Sequence, residues 1–472
     1  MASEMNEESE RQRKQSVKDY ASKLFKESSV SAVSAIVSTG NIRRKIFRVV
    51  VFLLFTAGFL YQCIKFLGYV LQFPTIVNIE MDRSEHYLGP AYTFCNFNPI
   101  KRSKFCSKYP DGCFEPDEEF CEAHPKLCIE NNTKIPKDDI SEYLNGPKDI
   151  MELIHDYKEL IIYSPTKEIP EGPFPRLDLD GYNAAACYSI FGRVNNSLEP
   201  KYRRKSMWKR SIDFMQFYPR ENDILHPNSK PGILFAIHSP FEAVNPFMKG
   251  IFLKPGHLYL ISVEMIEEEL LPYPYKTDCL NYTELWLRAN KTGPRSQEMC
   301  RHRCLLEYTE NCFNCTDLIV LYPSHSKNIC ELYKRQPNVT EEICKDIHRY
   351  IRPCFDSCKE DCTRMKYSYQ VQELISKCYN EKFHDKSNKT RFIEVYVQFE
   401  ESEVMKLQYK PQYQQVEAFS YIGGFIGIWL GVSLVQVVDV IESFFLIARY
   451  FFKKGSIACL RKSSPEIRKE TV

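Results

Sequence analysis

An excess of charge of either sign is missing from this chain: 63 Lys and Arg against 61 Asp and Glu leave a net charge of +2 over 472 residues, which argues against a nucleic-acid partner. Also missing are G-x-S-x-G, H-E-x-x-H and any comparable set of nucleophile, acid pair or metal ligands, so neither an enzyme nor a resident cofactor or metal is expected. No internal repeat and no low-complexity stretch occurs, and a hydrophobic content of 44% fits a folded chain. The first 45 residues are polar and hold no short apolar segment with a cleavage site, so no removable signal peptide is expected.

What the chain does have is two long apolar runs. Residues 46–73 are interrupted only by Arg48 and Lys65, and residues 423–452 read GGFIGIWLGVSLVQVVDVIESFFLIARYFF. About 20 residues cross the hydrocarbon of a bilayer, so each run is long enough to span it, and no third stretch comes close. Arg43, Arg44, Lys45 and Arg48 flank the first run on its N-terminal side, and Arg449, Lys453, Lys454, Arg461 and Lys462 flank the second on its C-terminal side. By the positive-inside bias both termini are expected in the cytoplasm. The expected division is a cytoplasmic tail at 1–45, spans at 46–73 and 418–452, an extracellular domain at 74–417 and a second cytoplasmic tail at 453–472.

The second run carries Asp439 and Glu442 in its inner half. A charge near the centre of a spanning helix costs roughly 2.5–3.5 kcal/mol, so both are expected to face water or an ion pathway. Gln436, Asp439 and Ser443 share one helical face, with Glu442 beside them. In an unbroken helix Ser433 and Glu442 would lie about half a turn apart, so a break near Gly431 is expected. Gly423, Gly427 and Gly431 recur every fourth residue, a pattern that also serves close helix packing.

Between the runs lie all seven N-x-Ser/Thr acceptors, at Asn131, Asn195, Asn281, Asn290, Asn314, Asn338 and Asn388, and seventeen of the nineteen cysteines. Such cysteine density belongs to an oxidising compartment, and the odd count leaves one thiol free or paired between chains. Residues 392–400 alternate Ile393, Val395, Val397 and Phe399 with polar neighbours, which predicts a half-buried strand, and 259–265 reads similarly. Thr340 with Glu341 and Glu342 predicts the start of a helix that places Ile343, Ile347 and Ile351 on one side. The domain is therefore expected to be α+β, a sheet core with peripheral helices. Cys300 and Cys304, like Cys354, Cys358 and Cys362, are spaced to share one face of their segments, which suits a ladder of bridges. A competing reading of Cys312-x-x-Cys315 with nearby His302 is zinc. The triplet Glu267, Glu268 and Glu269 and the pair Glu341 and Glu342 would take up protons or Ca2+ only if desolvated; the plainer reading is solvated surface.

In order along the chain, GPAYTFCNFNP at 89–99, NAAACYSIF at 183–191, LPYPYKTDC at 271–279, RSQEMCRHRC at 295–304 with CFNC at 312–315, and SYIGGFIGIWLGVS at 420–433 give a specific signature. The chain thereby resembles the degenerin, epithelial sodium channel and acid-sensing ion channel superfamily over nearly its whole length. The resemblance implies a plasma-membrane, sodium-selective, amiloride-sensitive cation channel of two spans per subunit. Its subunits would form homo- or heterotrimers in membrane lipid and be gated through the extracellular domain by a ligand, protons or force, or be constitutively open.

Carried over residue by residue, the resemblance pairs Cys95 with Cys187, Cys279 with Cys362, Cys300 with Cys358, Cys304 with Cys354, Cys312 with Cys344 and Cys315 with Cys330. It leaves Cys106, Cys113, Cys121, Cys128 and Cys378 unassigned. Gly431, Val432 and Ser433 match the selectivity filter, with Val432 in place of the commoner Ala, and Asp439 and Glu442 would line the pore below it. Ser420 falls where bulky replacements hold family channels open. Gly40 matches the glycine of a His-Gly gating motif whose histidine is here Thr39, and Tyr275 and Phe73 match an aromatic pair coupling the extracellular domain to the first span. The alternative is a non-conducting or accessory two-span receptor or adhesion subunit acting in a heteromer, which offers no reason for Asp439 and Glu442.

Overall fold

A computed structural model describes Asp19 and residues 31–450, apart from 83–85, 130–132, 138–139, 141, 145, 178–183, 195–201, 205–211, 325–327, 331–343, 345, 376–391, 400–403, 434, 437 and 440. The chain divides into two compact units, Met1–Thr75 with Pro411–Val472, and Ile76–Lys410. Five helices carry the argument: α1 (Ser31–Ser38), α2 (Ile42–Val70), α3 (Gln297–Phe313), α4 (Ile347–Ser357) and α5 (Gln415–Leu430). The strands of the two main sheets are β1 (Thr75–Asp82), β2 (Ala91–Asn96), β3 (Ile161–Tyr163), β4 (Glu171–Leu177), β5 (Ala184–Ile190), β6 (Ile212–Phe217), β7 (Ile233–His238), β8 (Ile251–Leu253), β9 (His257–Glu269), β10 (Thr363–Ile375), β11 (Ile393–Phe399) and β12 (Val404–Pro411).

In the first unit, α2 starts where Asn41 accepts a hydrogen bond from the Arg43 N–H, and it runs for 29 residues. Most of its apolar side chains are exposed, Phe47 at 69%, Leu54 at 66% and Ile64 at 69%, as a lipid-facing helix requires, while Phe52, Phe59, Gln62 and Phe66 are half-buried and Cys63 is buried. Among the described residues α2 is the helix long and apolar enough to cross a membrane. It stops at Val70, short of the expected end at Phe73, because Pro74 bars its predecessor from the helical region; Phe73 takes a left-handed φ of 49° instead. The second apolar run is not one helix. It opens with α5, whose 16 residues fall short of a bilayer.

In the second unit a seven-stranded sheet runs β1-β12-β9-β11-β6-β3, with β10 paired along the other side of β9, and a five-stranded sheet runs β8-β7-β2-β5-β4. The alternation read at 392–400 appears as β11, whose residues alternate buried and half-buried from Ile393 to Phe399. The sheets share one core: Tyr92, Phe94, Ile233 and Phe235 from the smaller meet Met215, Phe217, Tyr259, Ile261, Val395 and Val397 from the larger. Each such side chain contributes roughly 1.5–3 kcal/mol by leaving water.

Among the described residues eight disulfides staple this unit: Cys95–Cys187, Cys106–Cys113, Cys121–Cys128, Cys279–Cys362, Cys300–Cys358, Cys304–Cys354, Cys312–Cys344 and Cys315–Cys330. The pairs at 300, 304 and 312 tie α3 to α4 and its approach in antiparallel order. Cys106, Cys113, Cys121 and Cys128, unassigned from the sequence, close two local loops; Cys378 lies outside the described residues. The bridges at Cys312 and Cys315 overturn the zinc reading, since both sulfurs are used. α4 begins at Ile347, not at the expected Thr340: Asp346 is extended backbone and caps the helix by accepting from the N–H groups of His348 and Arg349, so a local cap sets the start; Thr340, Glu341, Glu342 and Ile343 lie outside the described residues.

Candidate functional site

α5 opens on a reciprocal capping box between Gln414 and Glu417 and closes at Gly431, which has a left-handed φ of 61° and donates its N–H to the Gly427 carbonyl. That dihedral is one that only glycine enters without strain, so the end of α5 is written into residue 431. Residues 431–433 are not helical, and helix resumes by 435 and includes 441–450. Ser433 restarts it: the Gln436 Oε1 accepts the Ser433 N–H at 2.9 Å, and the Ser433 Oγ accepts the Gln436 N–H at 3.4 Å. This is a second capping box, S-x-x-Q, a local signal that the sequence displays and that the polar-face assignment of Gln436 does not include. It also changes the reading of Gln436, whose amide oxygen is turned back to the helix start.

On the resumed helix Asp439 is half-buried and Glu442 exposed. The Ser443 hydroxyl donates to the Asp439 carbonyl at 2.8 Å, so it serves its own helix. A Cβ built on Gly423, Gly424, Gly427 or Gly431 meets nothing within 4 Å, so contacts within this chain do not explain those glycines. The glycine that packing demands is Gly58 of α2, where a Cβ would stand 2.6 Å from the Trp429 ring. Trp429 also donates its Nε1–H to the Gln62 Oε1 at 2.5 Å and meets the Phe55 ring edge-on. Further along the two helices Phe66 packs against Tyr413, Tyr421 and Phe425. Ser420 is exposed on α5, its hydroxyl donating to the Val416 carbonyl at 2.8 Å.

At the other end of α2, Gly40 lies in the link between α1 and α2. Arg48, one of the two charges that interrupt the first run, donates from one guanidinium nitrogen to the Ala35 carbonyl at 2.7 Å and to the Thr39 Oγ1 at 2.5 Å. The Thr39 hydroxyl donates in turn to the same carbonyl at 2.6 Å. This ring of three bonds places a cation on the C-terminal carbonyls of α1, where the helix dipole favours it. Phe73 and Tyr275 fall in different units.

Among the seven acceptor asparagines, Asn281, Asn290 and Asn314 are described and exposed; Asn131, Asn195, Asn338 and Asn388 lie outside the described residues. The acidic triplet is not solvated surface. It sits on β9, so alternate carboxylates face opposite ways. Glu268 is 9% exposed and paired with Arg364 and Lys366, while Glu267 and Glu269 both reach Lys406, at 3.7 and 2.5 Å. Burial raises the Glu267 pKa. It pushes the Glu242 carboxyl up to about 7 and the Asp361 carboxyl up to about 6.

A lipid-suited helix, a second apolar run broken ahead of two carboxylates and a disulfide-stapled, sheet-rich domain are the features that accompany the family match. The chain belongs to the amiloride-sensitive sodium channel family, whose model matches residues 24–443. It is 23% identical over 466 residues to acid-sensing ion channel 1A of Danio rerio, covering 90% of this chain and 87% of that one. It is 22% identical to the epithelial sodium channel subunit gamma of Bos taurus, over 50% of this chain and 39% of that one. A degenerin-like protein, asic-1, of Caenorhabditis elegans is 23% identical over 49% of this chain and 29% of its own length.

Proposed function

We propose that this chain is a subunit of a plasma-membrane cation channel, sodium-selective and amiloride-sensitive, gated through its extracellular domain and assembled as a homo- or heterotrimer. The observation that carries this reading is the helix break at 431–433, followed by Asp439 and Glu442 in an otherwise apolar run. On this reading 46–73 and 418–452 are the two spans, 74–417 is extracellular, and the tails 1–45 and 453–472 are cytoplasmic. Family membership and the relatives named for acid-sensing and epithelial sodium channels support it.

The break gives a pore what a continuous helix cannot. In a helix every carbonyl is held by an N–H four residues on, whereas an extended stretch frees carbonyls to replace part of a cation's hydration shell. Three copies of Gly431, Val432 and Ser433 around an axis form such a ring, small at its first and third positions. Below it, rings of Asp439 and Glu442 raise the local cation concentration and repel anions. The exposed hydroxyl of Ser420 lies on the approach to this ring, where the gate closes.

The test is voltage clamp of cells expressing Ser420→Phe, a bulky replacement expected to hold the gate open without a stimulus. A steady amiloride-sensitive current is expected, carried by Na+ more than by K+ and lost when a large organic cation replaces both. No current from surface-delivered chain, alone or coexpressed with related subunits, would leave the non-conducting accessory role.

A further inference from the structure

We propose that Gln436 is a positioning residue that aims the Val432 carbonyl, and so sets which monovalent cation the 431–433 stretch prefers. This rests on reading those residues as the filter. The Val432 carbonyl and the Ser433 N–H belong to one peptide unit, which is planar and, here, trans, so the two groups point in opposite directions. The Gln436 Oε1 holds that N–H at 2.9 Å. It therefore fixes the carbonyl on the other side of the same plane.

The second half of the box acts on the same residue. The Ser433 Oγ accepts the Gln436 N–H at 3.4 Å, so the hydroxyl oxygen is engaged by the helix start. Upstream, Gly431 is anchored by its N–H bond to Gly427. The stretch is thus pinned at both ends, by a left-handed glycine before it and a side-chain amide after it, and the direction of one carbonyl follows from the second pin. Selectivity by carbonyl coordination follows the number and field strength of those dipoles, and a dipole's direction sets its field at the ion, so a residue that never touches the ion can set the preference. Glu is the other side chain that completes this box, because its carboxylate offers the same acceptor at the same reach.

The experiment measures reversal potentials in Na+ and K+ for Gln436→Leu, Gln436→Glu and Val432→Ala, each in the Ser420→Phe background with surface delivery checked. Gln436→Leu is expected to lower the Na+ over K+ permeability ratio on the order of threefold or more, within the range that loss of a helix cap spans, and Gln436→Glu to restore it. An unchanged ratio in Gln436→Leu, with a shifted one in Val432→Ala, would overturn the inference and leave the filter standing. Unchanged ratios in both would remove the filter reading and this inference with it. Should Gln436→Leu carry no current, cryo-electron microscopy of the purified full chain decides: a rotated 432–433 peptide supports the inference, and an unmoved one overturns it.

Discussion

The two apolar runs meet the same problem, charge in a hydrophobic segment, in opposite ways. The first satisfies it within a regular helix: Arg48 is turned onto the Ala35 carbonyl and the Thr39 hydroxyl, Lys65 lies over the Tyr61 ring, and α2 continues unbroken to Val70. In the second the helix itself gives way, at Gly431, and restarts on a capping box before Asp439 and Glu442. On the proposed function the first run only anchors, and it satisfies its two charges near its ends and stays regular. On the same proposal the second run conducts, which requires charges that face water and exposed backbone, and Gly431 allows the break at little conformational cost.

The largest effect that tests this contrast falls on the anchor. Gly58→Leu drives a side chain into a ring already 2.6 Å from an ideal Cβ, so a loss of about 1–3 kcal/mol or more is expected, read as lost surface biotinylation. Next comes Gly431→Val, which forces a β-branched residue into a left-handed φ at a cost of about 1–3 kcal/mol. It should make the second run more like the first: surface delivery retained, current lost. Current at wild-type level would show that the break does not serve permeation.

Asp439→Asn is smaller in scope. Single-channel conductance or divalent block should fall with delivery intact, and unchanged permeation would take Asp439 out of the pore lining. The smallest is Thr39→Val, which removes one acceptor from Arg48 and should cost about 0.5–1.5 kcal/mol. Its expected signature is a shifted open probability at unchanged ion ratios, with Thr39→Ser restoring it.

Legibility followed the range over which each signal acts. The strand at 393–399 could be read because alternation reports one buried face. The end of α5 could be read in outline because glycine at 431 is a local device; the S-x-x-Q box that follows is equally local, but Gln436 also falls on the polar face with Asp439 and Ser443, which masks its capping role. Gly58 could not be read, because what demands a glycine there is Trp429 from the other end of the chain. The acidic triplet was misjudged because the strand was read as ending at Met265, whereas it runs to Glu269 and gives each carboxylate a basic neighbour from β10 or β12. Pairing among Cys106, Cys113, Cys121 and Cys128 depends on how a loop folds back, which spacing does not report.

Asn281 opens the Tyr282–Arg288 helix by accepting the Glu284 N–H on its Oδ1 at 3.1 Å. That bond uses the oxygen of the side-chain amide, whereas an N-linked sugar attaches to the nitrogen. One residue can therefore hold the helix start and carry a glycan at once. A carbohydrate rooted there would start from a side chain whose direction the helix start fixes.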